Sequence, residues 1–487
     1  MKYSKLLLII ILQCLINLNL SHADEPYSKR MANSQMTRSG SLTTWDYPNG
    51  LFVESILKVY NKYGDIKYYN YALDYANSVI NPTSGKIGSG YSFSAYTLDN
   101  LNPGMFLLQI YETEKNNQYK TALDTLRKQI SKQPRTNYSP AGGFWHKKTY
   151  PHQMWLDGLY MGCRFYAAYE KAFDNGTNYD DIVNQFVLIH SKTYDPDYQL
   201  NYHAWSALPT DANSFWANQS EPFPGCSKEF WARGLGWYAA ALLDVLEILP
   251  DNYSRRQELV DIFNQVVAGI KRWQNETTGC WYQLLRYDGT LTSNGTHNYI
   301  EASSSCMYTY VLLKAIRLGL ISRTDYMPVA EKAYQGLIDN FISEDKSGNL
   351  SLNNICKSAG LGPASNISRD GSINYYLNGS DAGQIVSNDL KGVGPFIMAS
   401  IEYEQLNQTT SLPYNYSNEN KYNIRIQNNH ININSPEPIL NDITVLNTVG
   451  EIIVHHSGKN AYEMNIPCKK GIYFLLINKD SRIKIII

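Results

Sequence analysis

Net charge is almost absent from this chain. Its 487 residues carry 43 Lys and Arg against 44 Asp and Glu, a formal net charge of −1. No global field draws in nucleic acid or a membrane surface, so affinity for an anion must come from local Arg, Lys or His. Histidine is scarce, at nine residues, and scattered. His146 and His152 stand six apart across Pro151, a spacing that does not set two metal ligands on one helix face. Cysteine is scarcer, at seven, with no CxxC pair and no dense framework. Buried free thiols are therefore expected at Cys163, Cys280, Cys306 and Cys356, although export would permit disulfides. A GxSxG elbow, a phosphate-binding loop and a dinucleotide fingerprint are all missing, which removes the common serine hydrolases, P-loop enzymes and Rossmann dehydrogenases. No apolar run is long enough for a firm membrane span. The run Leu6–Leu12 follows Lys2 and Lys5 and precedes Ser21-His22-Ala23, so residues 1–23 read as an export signal cleaved after Ala23.

Aromatics are plentiful, with 39 Tyr and nine Trp. Their flat faces stack on sugar rings and their polar tips meet hydroxyls, though aromatic helix packing would use them as well. Eleven stretches show helix-period apolar spacing: 50–63, 67–80, 101–114, 117–131, 152–173, 179–193, 232–248, 254–274, 302–318, 323–342 and 392–406. Segments rich in Gly, Pro, Asn and Asp separate them. Recurrent helical hairpins of this kind form closed arrays in which every helix buries one face. Six pairs would make an all-α (α/α)6 barrel over 24–408, and eleven is one helix short. Residues 409–436 are dominated by Asn, Ser, Thr and Tyr and read as a linker or poorly ordered strand region. From 437 to 487 the pattern turns β-like, in ITVLN, GEIIVHHS, AYEMNI, GIYFLLIN and RIKIII. A small C-terminal antiparallel module is expected there.

The densest chemistry lies in GGFWHKKTYPHQMWLDGLYMGC, residues 142–163. Pro151 has a fixed φ and no N–H, which suits the first turn of a helix. The spacing predicts a helix from about His152 toward Tyr169. Asp157 then lies about two turns in, with Gln153, Met154, Tyr160 and Met161 at i±3 and i±4. A carboxylate on that largely apolar face would be partly desolvated and would keep its proton toward neutral pH, as a general acid must. On these residues alone, a buried Asp that hydrogen-bonds a neighbouring turn is an equal reading.

GGFWHK followed by YPHQMWLDGLYM resembles the central motif of glycoside hydrolase family 105, the unsaturated rhamnogalacturonyl hydrolases. Further matches follow in the family's order: LDNLNPG (98–104), QPRT (133–136), FWARGLGWY (230–238), YIEASSSCM (299–307) and NDLKGVGPFIMASIE (388–402). The resemblance spans roughly residues 28–403, and it too implies an (α/α)6 barrel. It implies that Asp157 is the catalytic acid. It also implies that Asp99, which alone would read as a helix cap or turn former, is a second carboxylate that tunes the acid by like-charge repulsion and helps hold water. His146, Lys147 and His203 become pocket residues, whereas His-Lys on a loop alone would be solvated surface. Arg233 and Trp237 stand i, i+4 on one helix face. They are either a cation–π pair in the core or an Arg that grips a uronate carboxylate beside a Trp that supports the sugar. Trp155 joins the substrate-binding set, and Trp45, Tyr47 and Asn49 wall the same pocket. The AGLG…RDGS loop, with Gly360, Gly362, Arg369, Asp370 and Gly371, is not expected to be catalytic.

The activity this resemblance implies is removal of a 4,5-unsaturated uronic acid from the non-reducing end of lyase-generated rhamnogalacturonan fragments, with no metal or organic cofactor. The partner is that oligosaccharide; neither nucleic acid nor a membrane span in the mature chain is expected. Three alternatives stand beside it. One is the same chemistry on unsaturated glucuronyl fragments of ulvan, arabinogalactan or glycosaminoglycan. Another is a catalytically silent sugar-binding protein on the same barrel, which retention of Asp99 and Asp157 argues against. The third is a helical scaffold that binds protein. The C-terminal module resembles the sorting domains of proteins exported by the type IX system; a β appendage packed on the barrel is the other reading.

Overall fold

The computed structural model describes residues 25–408 and, beyond them, 423–427, 430–434, 440–447, 452–461, 463–467, 472–477 and 481–486. The export signal expected at 1–23 lies outside the described residues. The chain divides into two compact units, Met1–Leu406 and Asn407–Ile487.

The first unit is an (α/α)6 barrel. Six helices line its inside: Tyr47–Tyr63, Gly104–Glu114, a segmented helix that starts at Leu156 and ends at Phe173, Ala232–Ile248, Ala302–Arg317 and Leu390–Gln408. They are buried nearly all round. Every residue from Lys391 to Ser400 is buried, as is every one from Ala302 to Ile316, which is the signature of a helix with neighbours on all sides. Six others form the outer layer: Tyr27–Ser39, Ile66–Val79, Asn117–Ser131, Tyr179–Thr193, Arg256–Arg272 and Arg323–Phe341. These show a single buried stripe, as in Tyr119, Ala122, Leu123, Leu126, Gln129 and Ile130. Local chemistry sets the ends. Asp46 caps the first inner helix by accepting from the Asn49 N–H, and Gly64 stops it with φ of 72°.

Tyr27–Ser39 is the helix missing from the sequence-based count. Its buried positions are Ser28, Arg30, Met31, Ala32, Ser34 and Gln35, so polar side chains interrupt any helix-period apolar stripe. It closes the ring against the last inner helix. The Ser28 N–H and hydroxyl donate to the two carboxylate oxygens of Glu404, at 3.1 and 2.7 Å, and Tyr27 meets Phe396 edge-on at 6.4 Å. Inside the ring, a buried ion cluster ties four inner helices together. Arg164 reaches Glu54 at 2.6 Å and Asp244 at 2.6 Å, and Lys314 reaches Asp244 at 2.6 Å.

A second correction concerns the central motif. The helix expected from His152 begins only at Leu156. His152 has φ of +61°, and Gln153–Trp155 is extended, paired antiparallel with Ala204–Ser206. Pro151 therefore sits in a turn, and Asp157 falls in the first helical turn. Cys163, Cys226, Cys280, Cys306 and Cys356 are all buried and free. No helix among the described residues is long and apolar enough to cross a membrane.

The second unit is all antiparallel. Asn423–Gln427, His430–Asn434 and Glu463–Pro467 form one sheet in that order. Ile452–Ala461, Leu440–Asn447, Ile472–Ile477 and Ser481–Ile486 form the other. Ile431, Ile433, Ile443, Val445, Ile466, Leu475 and Ile477 are buried, and along single strands they alternate with less buried positions. The stretch read as a linker or poorly ordered strand region, 409–436, contains two strands among its described residues: NIRIQ and HININ alternate Ile with polar residues at period two.

Candidate active site

The inner helices bring their N-terminal ends together around one site. Tyr47 opens the first of them, and Asp99 lies in the 3-10 turn Leu98–Leu101 that leads into the second. Asp157 and Arg233 sit in the first turns of the third and fourth. Glu301 caps the fifth, and Asp389 and Lys391 flank the start of the sixth. The Tyr47 phenol stands among the charges of Arg233, Asp99, Asp157 and Asp389, and burial pushes it well above its usual range. Helix N-termini carry partial positive charge, which here meets the carboxylates of Asp99, Asp157, Glu301 and Asp389 alongside the cations of Arg233 and Lys391.

Each of the two Asp residues faces a histidine. Asp157 Oδ2 lies 3.2 Å from His203 Nε2; the two are out of line for a hydrogen bond, and neither atom has a hydrogen-bond partner. Asp99 Oδ1 lies 3.4 Å from His146 Nε2, and Oδ2 lies 3.8 Å from Lys147 Nζ. Thr97 adds a hydroxyl donor to Asp99 at 3.1 Å. Burial pushes the Asp99 carboxyl up, but His146, Lys147 and Thr97 together outweigh it and hold the group at about 2. The carboxylates are reachable, with side chains 13% exposed at Asp157 and 24% at Asp99. The imidazoles behind them are buried.

Local backbone explains the placement. The Leu98 N–H donates to His146 O, the His146 N–H to Gln153 O, and the Leu156 N–H to His203 O. Three segments distant in sequence, around residues 98, 146–156 and 203, are thereby laced into one frame around Trp155. That indole stacks on His146 at 4.6 Å and on Tyr150 at 4.7 Å, and meets His203 edge-on at 5.6 Å. Immediately after Asp157 the helix widens into a π-helical segment, Leu159–Cys163, a distortion frequent at functional sites.

The expected site residues fall into two groups. Asp157, Asp99, His146, Lys147, His203, Arg233 and Tyr47 converge. The three tryptophans do not present open faces. Trp45 is fully buried and donates to the Asn100 carbonyl at 2.9 Å, so it belongs to the core and not to the pocket wall. Trp155 and Trp237 are buried behind the polar residues. Asn49 serves the loop, donating from its side chain to Thr44 O and Asp46 Oδ2. The Arg233–Trp237 cation–π pair does not form. Arg233 lies over Trp231 at 4.9 Å, while Trp237 meets Tyr47 and Tyr160. Arg233 Nη1 donates to the Ser303 hydroxyl and the Cys356 carbonyl, and its buried Nε has no partner.

Sequence reasoning left four residues unassigned. Glu301, Asp389 and Lys391 stood inside matched motifs, whereas no motif marked Tyr376. Lys391 pairs with Asp389 at 2.8 Å; burial and the neighbouring Arg233 lower its pKa. Arg369 of the AGLG…RDGS loop pairs with Asp381 at 2.6 Å rather than with Asp370. Among the described residues, no three His, Cys, Asp or Glu side chains gather as metal ligands.

The family model described as Glycosyl Hydrolase Family 88 matches residues 27–407. A glycoside hydrolase from family 105 of C. acetobutylicum ATCC 824 superposes with a TM-score of 0.71 at 41% identity, over 78% of this chain and 100% of that one. An unsaturated 3S-rhamnoglycuronyl hydrolase of Formosa agariphila is 26% identical over 187 residues, 38% of this chain and 46% of the relative. An unsaturated rhamnogalacturonyl hydrolase of Bacillus subtilis is 19% identical over 301 residues, 61% of this chain and 76% of the relative.

Proposed function

The chain belongs to the glycoside hydrolases of families 88 and 105, and from that premise we propose that it removes a 4,5-unsaturated uronic acid from the non-reducing end of lyase-generated rhamnogalacturonan fragments. The observation that carries the reading is the pair of solvent-reachable carboxylates, Asp157 and Asp99, each backed by a buried histidine at the N-terminal ends of the inner helices.

In this reading Asp157 gives its proton to C4 of the vinyl ether, and positive charge develops toward C5 and the ring oxygen. Asp99, held as an anion, faces that charge and orients a water. The water oxygen bonds to C5 and its spare proton passes to a carboxylate. The hemiketal opens by breaking the bond from C5 to the ring oxygen. C1 is left as a hemiacetal that expels the remaining sugar as an alcohol. The uronate carboxylate is met by Arg233 and Lys391 and by the positive helix ends. An ordinary glycosidase instead works at the anomeric carbon with two flanking carboxylates. A second reading is the same chemistry on unsaturated glucuronyl fragments; the Formosa relative is named for a 3S-rhamnoglycuronyl substrate rather than a rhamnogalacturonyl one.

Unsaturated uronates absorb in the ultraviolet, and hydration abolishes that absorbance. The test is a panel of lyase-digested polysaccharides followed by absorbance. Fastest loss on rhamnogalacturonan fragments is expected. Faster loss on glucuronyl fragments transfers the assignment to the second reading, and no loss on any of them refutes both. Residues 1–23 further support the proposal that the enzyme is exported.

A further inference from the structure

Behind the histidine that meets Asp157 stands a buried phenol. His203 Nδ1 lies 2.8 Å from the Tyr376 hydroxyl, while Nε2 at the far side of the ring lies 3.2 Å from Asp157 Oδ2. Both His203 and Tyr376 are fully buried. The three groups form a line from the helix Ile373–Asn378 to the carboxylate. Trp231 steadies the line, lying 4.6 Å from the His203 ring and 6.3 Å from that of Tyr376. Ser372 caps the short helix, and the neighbouring Tyr375 hydroxyl accepts from the Gly360 N–H.

A neutral imidazole has one N–H and one acceptor nitrogen, and the partner of one fixes the role of the other. Two arrangements are available. In the first, Tyr376 donates to Nδ1, and Nε2–H points at Asp157. In the second, Nδ1–H donates to the phenol oxygen, which strands a buried phenol proton with no other acceptor among the described residues. The second also turns an Nε2 lone pair toward a carboxylate, or takes up the proton that Asp157 must deliver. Burial keeps the phenol protonated, and a buried donor left unpaired is unfavourable. The first arrangement gives the phenol proton an acceptor and leaves Nε2–H facing the Asp157 carboxyl across 3.2 Å. His146 provides the contrast: it stacks on the same Trp155 and faces the other carboxylate, yet its buried Nδ1 has no hydrogen-bond partner. Only the histidine at the acid is backed by a donor.

We propose that Tyr376 is a positioning residue that fixes the Nε2–H tautomer of His203, keeping a hydrogen-bond donor on the Asp157 carboxyl throughout the reaction. The donor leaves the second carboxyl oxygen free to carry the transferable proton, and it stabilises the carboxylate formed once that proton has gone. The kinetic arm rests on Asp157 being the proton donor. The tautomer arm does not, so the two fail separately.

The test uses the full chain labelled with ¹⁵N-histidine. Wild-type protein without substrate is expected to show His203, assigned by comparison with His203→Gln, as the Nε2–H tautomer. Tyr376→Phe keeps the ring and removes the hydroxyl. It should show a tautomer mixture, a kcat lower by roughly 10–100-fold, the size seen for outer partners of metal-ligating histidines, and a KM within about twofold. A wild-type His203 in the Nδ1–H form overturns the proposal, and that measurement decides even where Tyr376→Phe does not fold. A Tyr376→Phe enzyme with wild-type kcat, or one whose loss lies wholly in KM, overturns it as well.

Discussion

Exchange of Asp157 for Asn preserves the side chain's size and removes the proton that the proposed mechanism has it deliver. Loss of a proton-transfer group lowers rates by roughly 10²–10⁴-fold. Asp157→Asn should therefore fold, bind product and barely turn over, as read by absorbance loss and by product titration; turnover near the wild-type rate would eliminate the acid assignment. Asp99 makes a different prediction, because its folded-state carboxyl is held down at about 2, below the ~3.9 of a free Asp. A depressed carboxyl stabilises the fold fully above the unfolded value, and that contribution disappears as pH falls through the folded one. The stability difference between wild type and Asp99→Asn should be constant near neutrality and fade between about pH 4 and pH 2; denaturant titrations at stepped pH measure it, and a difference that persists below pH 2 contradicts the His146–Lys147 account. At this scale Asp99, Asp157 and His146 were legible because each sits in a contiguous motif, and His203 only through the family resemblance. Tyr376 was not: its partner is 173 residues away in the chain, and nothing about a Tyr in INYYLN distinguishes it from core packing.

At the scale of single elements, Glu301 is the clearest case of one side chain organising several backbones. Its buried carboxylate accepts from the N–H groups of Ser303, Ser304 and Cys356 and from the Ser303 hydroxyl. It thus caps one inner helix and pins the strand that presents a carbonyl to Arg233. Losing a cap costs about 1 kcal/mol, and leaving the buried Cys356 N–H unpaired costs about 1–3 kcal/mol more. Glu301→Ala should lower the denaturant midpoint accordingly, with Glu301→Gln between it and wild type. An unchanged midpoint for Glu301→Ala would show that water or another group replaces the cap. Elements were legible where apolar periodicity is strong, as in Asn117–Ser131. They were misjudged where tertiary pairing overrides it. Gln153–Trp155 is extended because Ala204–Ser206 pairs with it, and no local rule around Pro151 announces a partner some fifty residues on.

For the whole molecule, the division between Met1–Leu406 and Asn407–Ile487 predicts that the barrel is self-sufficient. A chain ended after Gln408 should unfold cooperatively and retain full hydration activity. If the C-terminal unit is a sorting signal, fractionation of the producing cell should show the truncated enzyme misdelivered. An insoluble or inactive barrel would make the second unit an integral part. The barrel's architecture was readable from recurrent helical hairpins, but its closure was not, because the closing helix is polar on its inner face. That closure sets an order of events. Tyr27–Ser39 is the first barrel helix to leave the ribosome, yet its partner, the helix carrying Glu404, is the last. The contact between Ser28 and Glu404 spans 376 residues, so the ring cannot close during synthesis until nearly the whole barrel has been made. Until then the nascent chain exposes an open seam, and any chaperone that serves this enzyme has that interval in which to act.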